Sequence, residues 1–193
     1  MAENTNITIN DPVKGIKDNV LFSKITSDGN RITFQNKDKI IIEKENKAKL
    51  YLSDKNKDKI NSITDIVIKE TSINSEKWFG KHINEEDCTS IYKNALDDQG
   101  RLHCFYNSDT KFFDSNSRLN VDEIIGEVFG IALLKCISVV YTSTSFFLRW
   151  EISQFKLKKE EKNDSVGYII RDLPEHEHND FEFENMIKRV TLF

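Results

Sequence analysis

The sequence predicts an α+β protein: an OB-like, mostly antiparallel β-barrel or sheet with a two-helix insertion and an acidic C-terminal tail. Three observations lead there. Short runs of β-branched and aromatic residues recur between polar turns, and such residues suit a pleated, half-buried surface. One stretch, about 58–96, changes to the apolar spacing of helices. The first strands follow one another directly, without the helical crossovers of a βαβ fold. With 193 residues, 38% of them hydrophobic and 31% charged, the chain can build the core of one domain, which argues against wholesale disorder.

Residues 1–17 carry no repeating pattern and read as a flexible arm. "NVLFSKI" (19–25) is the first strand. "TSDGN" (26–30) turns the chain, with Gly29 available for positive φ, and "RITFQN" (31–36) returns as the second arm of a hairpin. "KIIIEKE" and "KAKLYLS" supply two more strands, and "DKNKDK" (54–59) reads as a charged turn. Ile60, Ile63, Ile66, Val67 and Ile73 then share one face at helical spacing, which places a helix at about 58–73. Asn84 is a suitable N-cap for a second helix, and Glu85, Glu86 and Asp87 complement its dipole. Ile91, Tyr92 and Leu96 face inward, and "EKWFGKH" becomes the link between the helices, with Gly80 turning the chain.

Strands resume at "RLHCFY" (101–106), "TKFFDS" (110–115), "FGIALLKCISVVYT" (129–142) and "SFFLRWEISQFKLKK" (145–159). The last two meet at "TST" and form a hairpin. Alternation in the final run puts Phe147, Arg149, Glu151, Ser153 and Phe155 on one face, and Phe146, Leu148, Trp150, Ile152, Gln154 and Lys156 on the other. "VGYIIRDL" is a candidate edge strand. The domain is expected over 18–171, and residues 172–193 form the tail.

"LFSKI…GNRITFQNKDKIIIE", "NSEKWFGKHINEEDCTSIYKNAL" and "LLKCISVVYTSTSFFLRWEISQFKL" resemble small proteins of nucleocytoplasmic large DNA viruses that look like single-stranded-DNA-binding proteins. The resemblance spans about residues 19–159. It is carried by Ser75, Trp78, Phe79, Gly80 and Lys81, then by Phe147, Trp150 and Gln154. It departs from the family pattern in two places: residues 37–57 contain no proline, and the turn at 142–144 lacks a glycine. What the resemblance implies is sequence-tolerant binding of single-stranded DNA in viral replication, repair or recombination.

The side chains themselves leave two readings open at each candidate position. Trp78 and Phe79 either plug the corner between the helices or stack on bases, with Lys77 and Lys81 holding phosphates. Phe147, Arg149 and Phe155 mix rings with a guanidinium, as stacking and phosphate contact require, and Lys156, Lys158 and Lys159 crowd the strand exit. The competing reading is an amphipathic strand with a solvated end. Arg101, His103, Phe105 and Tyr106 offer a similar mixture or an ordinary surface strand. The candidate DNA-binding set is therefore Lys77, Phe79, Lys81, Arg101, Phe105, Phe147, Arg149, Phe155, Lys156 and Lys158.

No P-loop, dinucleotide fingerprint, nucleophile elbow or HExxH motif occurs, and the expectation is a non-enzyme with no catalytic residues and no cofactor. His82, Cys88, His103, Cys104 and Cys136 lack paired-ligand spacing, so no metal site is expected. Three scattered cysteines imply no disulfide framework. With no signal-peptide pattern at the N-terminus, the expectation is a reducing intracellular compartment, for a viral protein the host cytoplasm, a viral factory or the nucleus. No apolar run is long enough to span a membrane.

Residues 172–193 hold six acids against two bases, which equals the whole net charge of −4, while residues 1–171 hold twenty-six of each sign. Such a tail, with Phe181, Phe183 and Phe193, reads either as a solubilising segment or as one that occupies a cationic groove and recruits replication proteins. The alternative function is a non-enzymatic structural or protein-interaction module, such as a virion component. A continuous basic and aromatic groove favours the first function, and a broad apolar patch the second.

Overall fold

The computed structural model describes residues 6–16, 19–114 and 117–158. The strand expected at "VGYIIRDL", the acidic tail and Lys159 lie outside the described residues. The elements are β1 (Ile7–Ile9), β2 (Val13–Lys14), β3 (Leu21–Ser27), β4 (Thr33–Ile42), β5 (Lys47–Tyr51), α1 (Asp54–Phe79) and α2 (Glu85–Ile91). They continue with β6 (Arg101–Phe105), β7 (Lys111–Asp114), β8 (Ser117–Leu119), a short 3-10 turn (Val121–Ile124), β9 (Gly126–Tyr141) and β10 (Phe146–Leu157). The described residues are thus mixed α and β, mostly strands, with ten strands in one sheet and two helices.

The long strand β9 pairs on both edges. On one it meets β3 (Leu21↔Tyr141 to Lys24↔Ser138) and then β4 (Thr33↔Lys135 to Ile42↔Gly126), all antiparallel. On the other it meets β10. The remaining pairings run β4–β5, β5–β6 and β6–β10, the last parallel and made through Glu151↔Phe105. The series β9-β4-β5-β6-β10 therefore returns to β9 as a closed circuit of pairings. Where β6 and β10 diverge, the chain after α2 fills the gap: Tyr92 bridges Phe146 and Leu96 bridges Leu102.

Several expectations change in detail. β3 and β4 do not form a hairpin; beyond the Ser27–Asn30 turn they lie in succession along the same edge of β9. The arm before them is partly sheet, since β1 and β2 both pair with β3. "DKNKDK" is not a turn but the start of α1. Ser53 caps it by accepting from the Asn56 amide (3.4 Å), and Lys57 reaches Asp54 (3.2 Å). That first stretch is largely solvated, so no apolar period marks it before Ile60. The helix also runs past residue 73, to Phe79, and Gly80 ends it in the left-handed region at φ 71°, a conformation favourable to glycine.

The extension is held by two buried serines. Ser75 Oγ donates to the Ser72 carbonyl (2.8 Å) and accepts from the Ile83 amide (2.9 Å), while Ser72 Oγ donates to the Ile83 carbonyl (2.9 Å). These bonds tie the end of α1 to the entry of α2, whose Asn84 cap accepts from the Asp87 amide (2.8 Å) as expected. The turn after β9 uses hydroxyls where a glycine is missing: Thr142 Oγ1 donates to the Ser145 carbonyl (2.9 Å) and accepts from the Ser145 amide (3.1 Å).

The core is lined by Phe34, Ile40, Ile42, Leu50, Leu102, Leu134, Leu148, Trp150, Ile152 and Phe155 together with Ile60, Ile63 and Val67 of α1. Trp150 is fully buried, edge-on to Phe34 at 5.4 Å between centroids. Phe155 is also core, not surface. The β9–β10 register shifts between Ile152 and Gln154, and Ser153 and Gln154 both fall on the solvent side. That irregularity restarts the alternation and turns the Phe155 ring inward. The ring crosses Gly130, where an added Cβ would stand 2.4 Å from Phe155 Cζ and 2.5 Å from the Lys156 carbonyl oxygen.

Replacement of Gly130 by alanine should therefore lower stability by about 1–3 kcal/mol, the usual cost of overpacking a closed site. Denaturant titration checks this. A smaller side chain at position 155 should restore part of the loss, and additive effects of the two substitutions would contradict the contact.

Candidate functional site

The structure divides the expected site residues among three places. Lys77, Phe79 and Lys81 lie at the end of α1. Arg101, Phe105, Phe147 and Arg149 lie on the outward faces of β6 and β10. Lys156 and Lys158 are exposed at the far end of β10, where Lys156 stands beside Phe113. Phe155 is withdrawn into the core and belongs to none of them.

At the end of α1, aromatic side chains make a half-buried cluster. Trp78 packs edge-on to Phe79 (6.2 Å) and Tyr141 (6.1 Å), Phe79 lies 5.3 Å from Tyr141, and Tyr141 stacks on Phe146 at 5.6 Å. Both rings are thus bound to the end of the β9–β10 hairpin, which favours the plug over the stacking platform. Tyr141 also shares a hydrogen bond with Thr71 (3.1 Å), and burial pushes its phenol up to about 12. Asp11, in the connection between β1 and β2, fastens this corner from outside. One of its carboxylate oxygens accepts from Lys77 Nζ (2.7 Å) and from Trp78 Nε1 (3.0 Å). Lys77, expected to hold phosphate, is therefore already engaged by a carboxylate.

The outward face of β5, β6 and β10 has a different character. Cross-strand register sets Lys47 opposite Phe105, Lys49 opposite His103 and Tyr51 opposite Arg101. The Arg101 guanidinium lies over the Tyr51 ring at 5.8 Å. The Arg149 guanidinium lies over Phe105 at 5.4 Å, and Phe147 sits two residues before Arg149 on the same side of its strand. Two ring and guanidinium pairs thus stand on neighbouring strands with lysines beside them. Such pairs hold a flat cation above a flat ring, leaving both able to contact further planar groups.

Carboxylates border this face. Glu43 pairs with Lys49 (2.8 Å), Glu45 with Lys47 (2.8 Å), and Asp97 with Arg101 (2.8 Å) and His103 (3.6 Å). Burial raises the Asp97 pKa, but hydrogen bonds from Arg101 and Gln99 outweigh it and leave the carboxyl below its ordinary value. Glu151 is the buried member, reached by Arg149 (3.0 Å), Lys135 (3.7 Å) and Asn107 Nδ2 (3.3 Å). The pair at Lys47 is solvent-exposed, and such pairs contribute only about 0–1 kcal/mol. An incoming phosphate can displace them, whereas Glu151 is held by three donors and fixes Arg149 in place.

Sequence reasoning reached Arg101, His103, Phe105 and Arg149 but not Lys47, Lys49 and Tyr51. Their signal was the alternation in "KAKLY", where the odd residues share one face. That they lie beside Arg101 and Phe105 depends on pairing across a helical insertion. All three cysteines are buried free thiols, and among the described residues no group of three His, Cys, Asp or Glu is placed to hold a metal. No helix among the described residues is long and apolar enough to cross a membrane.

Residues 38–172 match a family of unknown function, DUF5871. The chain belongs to that family. The matched span begins within β4 and takes in the whole outward face just described. Neither the curated proteins nor the solved structures yield a match.

The Asp11 contact makes a pH prediction with a definite sign. Hydrogen bonds from Lys77 and Trp78 hold the Asp11 carboxyl below its ordinary value of 3.8. A carboxylate lowered on folding contributes stability that is complete above the ordinary value and lost as pH falls through the folded value. Amide exchange across Ile7–Lys14 should accelerate over that acid range, and Asp11→Asn should show fast exchange already at neutral pH. Equal protection in both proteins would remove Asp11 as the fastening.

Proposed function

We propose that this protein binds single-stranded DNA with little sequence preference, using the outward face of β5, β6 and β10. The observation that carries the reading is the pair of cation–π contacts, Arg101 over Tyr51 and Arg149 over Phe105, on adjacent strands with Lys47 and Lys49 beside them. Bases stack on exposed rings whatever their identity, at ~1–3 kcal/mol per base, and cations beside the rings meet the phosphates. Stacking supplies most of the affinity here, since the lysines already have carboxylate neighbours.

The fold supports the same reading. The circuit β4-β5-β6-β10-β9 is proposed to be an OB-like barrel, an architecture that binds oligonucleotides on the face of its second and third strands. Counted from β4, those are β5 and β6, the strands that carry the face. Among the described residues the exposed large hydrophobics Val13, Ile16, Ile73, Phe105 and Ile125 are scattered along the chain, with only Val13 and Ile16 close in sequence, which does not favour the alternative of a structural module docking through an apolar patch. The setting in viral replication, repair or recombination rests on the resemblance to proteins of large DNA viruses. The acidic tail is proposed to compete for the cationic face and, when displaced, to recruit replication proteins.

Titration with labelled oligo-dT tests this. The slope of log K against log salt should correspond to a few phosphates at about −0.7 each. Phe105→Ala should weaken binding by about 1–3 kcal/mol, and because Phe105 is 36% exposed the melting temperature should stay close to that of the parent. Folded protein that does not bind oligo-dT at low salt would defeat the proposal and leave the interaction module. Deletion of residues 172–193 should tighten binding at low salt, with the gain shrinking as the Debye length falls to about 10 Å at 0.1 M. Unchanged affinity at low salt would refute competition by the tail.

A further inference from the structure

A pocket of about 620 Å³ opens where the β4–β5 turn, the β6–β7 connection and the segment after β8 converge. Its lining includes Asn46, Tyr106, Asn107, Phe112, Arg118 and Asn120. A volume in the range of about 300–1,000 Å³ suits a small organic ligand. The lining combines two aromatic rings with several amides. Tyr106 and Phe112 are both buried and meet edge-on at 5.6 Å, and the Tyr106 hydroxyl is fixed by donating to the Glu43 carbonyl (2.7 Å). The rim offers polar groups with spare capacity. Asn120 Oδ1 accepts from the Asp122 amide (3.3 Å), while the side chains of Asn46 and Arg118 have no hydrogen bond or ion pair to protein among the described residues. Arg118 is exposed, and it brings a planar cation to the mouth of the pocket.

We infer that this pocket binds a nucleoside monophosphate unit, with the phosphate at Arg118 and the base edge among the amides of Asn46 and Asn120. A guanidinium without a carboxylate partner is suited to bidentate phosphate contact. The Asn46 amide offers both donors and acceptors and the Asn120 side chain keeps its NH2 donors, which together suit a base edge. The pocket is continuous with the proposed DNA face. Asn46 precedes Lys47, Tyr106 follows Phe105, and Lys47 and Phe105 are cross-strand partners. Asn107 joins the two by donating to Glu151, which in turn holds Arg149 over Phe105. The unit is therefore either the terminal nucleotide of a strand lying on the face or a free mononucleotide. The first source rests on the single-stranded-DNA reading, and the second does not.

The test uses the full chain, thymidine 5′-monophosphate, thymidine, and oligo-dT with or without a 5′-phosphate, read by amide chemical shifts and titration. The monophosphate should shift the amides of residues 46, 106–108 and 118–120 and bind about tenfold more tightly than thymidine, as one charge-assisted contact provides. Arg118→Gln should remove that advantage, and Phe105→Ala should leave it intact. Tighter binding of the phosphorylated oligo-dT, lost in Arg118→Gln, identifies a strand end as the occupant. Equal binding of both oligomers identifies the free nucleotide. Monophosphate binding without any oligo-dT binding would sustain the pocket while overturning the DNA face. Shifts that map elsewhere, or an Arg118→Gln protein that binds the monophosphate as the parent does, would overturn the inference.

Discussion

Strand β9 satisfies backbone partners along both edges, with β3 and β4 on one side and β10 on the other. Every buried amide and carbonyl needs a partner, so a strand used on both edges binds its neighbours into one cooperative unit. The close approach of Phe155 to Gly130 sets how β10 crosses it. The register irregularity at Ser153 then decides which side chains of the last part of β10 enter the core, Phe155 above all. Phe147 and Arg149 precede it and are outward by plain alternation with the buried Leu148 and Trp150.

The helices are fastened to the end of that hairpin. Small polar residues do this where larger apolar ones would be expected: Ser72 and Ser75 bond to the backbone of Ile83, and Thr71 bonds to Tyr141. A net gain of about 0.5–1.5 kcal/mol per hydrogen bond is modest, but leaving such buried groups unpaired would cost more. Serines allow α1 and the entry to α2 to approach closely enough for both bonds. Trp78 and Phe79 then pack against Tyr141 instead of standing free.

The outward face combines attraction with restraint. Its cations meet Glu43, Glu45, Asp97 and Glu151, so it does not form a field of unopposed positive charge. In the proposed DNA-binding role, stacking surfaces supply affinity that salt screens little, and the displaceable lysines a smaller salt-dependent part. Glu151 differs from the other acids. Its burial and three donors make it a positioning group for Arg149, and through Asn107 it connects the face to the neighbouring pocket.

Much was legible in the sequence because it depends on local periodicity or on capping. The helix through Ile60, Ile63 and Val67, the Asn84 cap, the Gly80 turn and the β9–β10 hairpin follow from spacings within a few residues. The charged start of α1 was not legible, since solvated residues carry no apolar period whether they belong to a turn or a helix. The fate of Phe155 was not legible either, because strict alternation assumes a regular strand and a one-residue irregularity inverts it. The same limit applies to the site. Sequence alone marked Arg101, Phe105 and Arg149 as rings and cations on strand faces. Only the pairing of β5 with β6 across the helical insertion, and of Phe105 with Glu151, brought Lys47, Lys49 and Tyr51 beside them, because contacts between distant segments are set by sheet register and not by neighbouring residues.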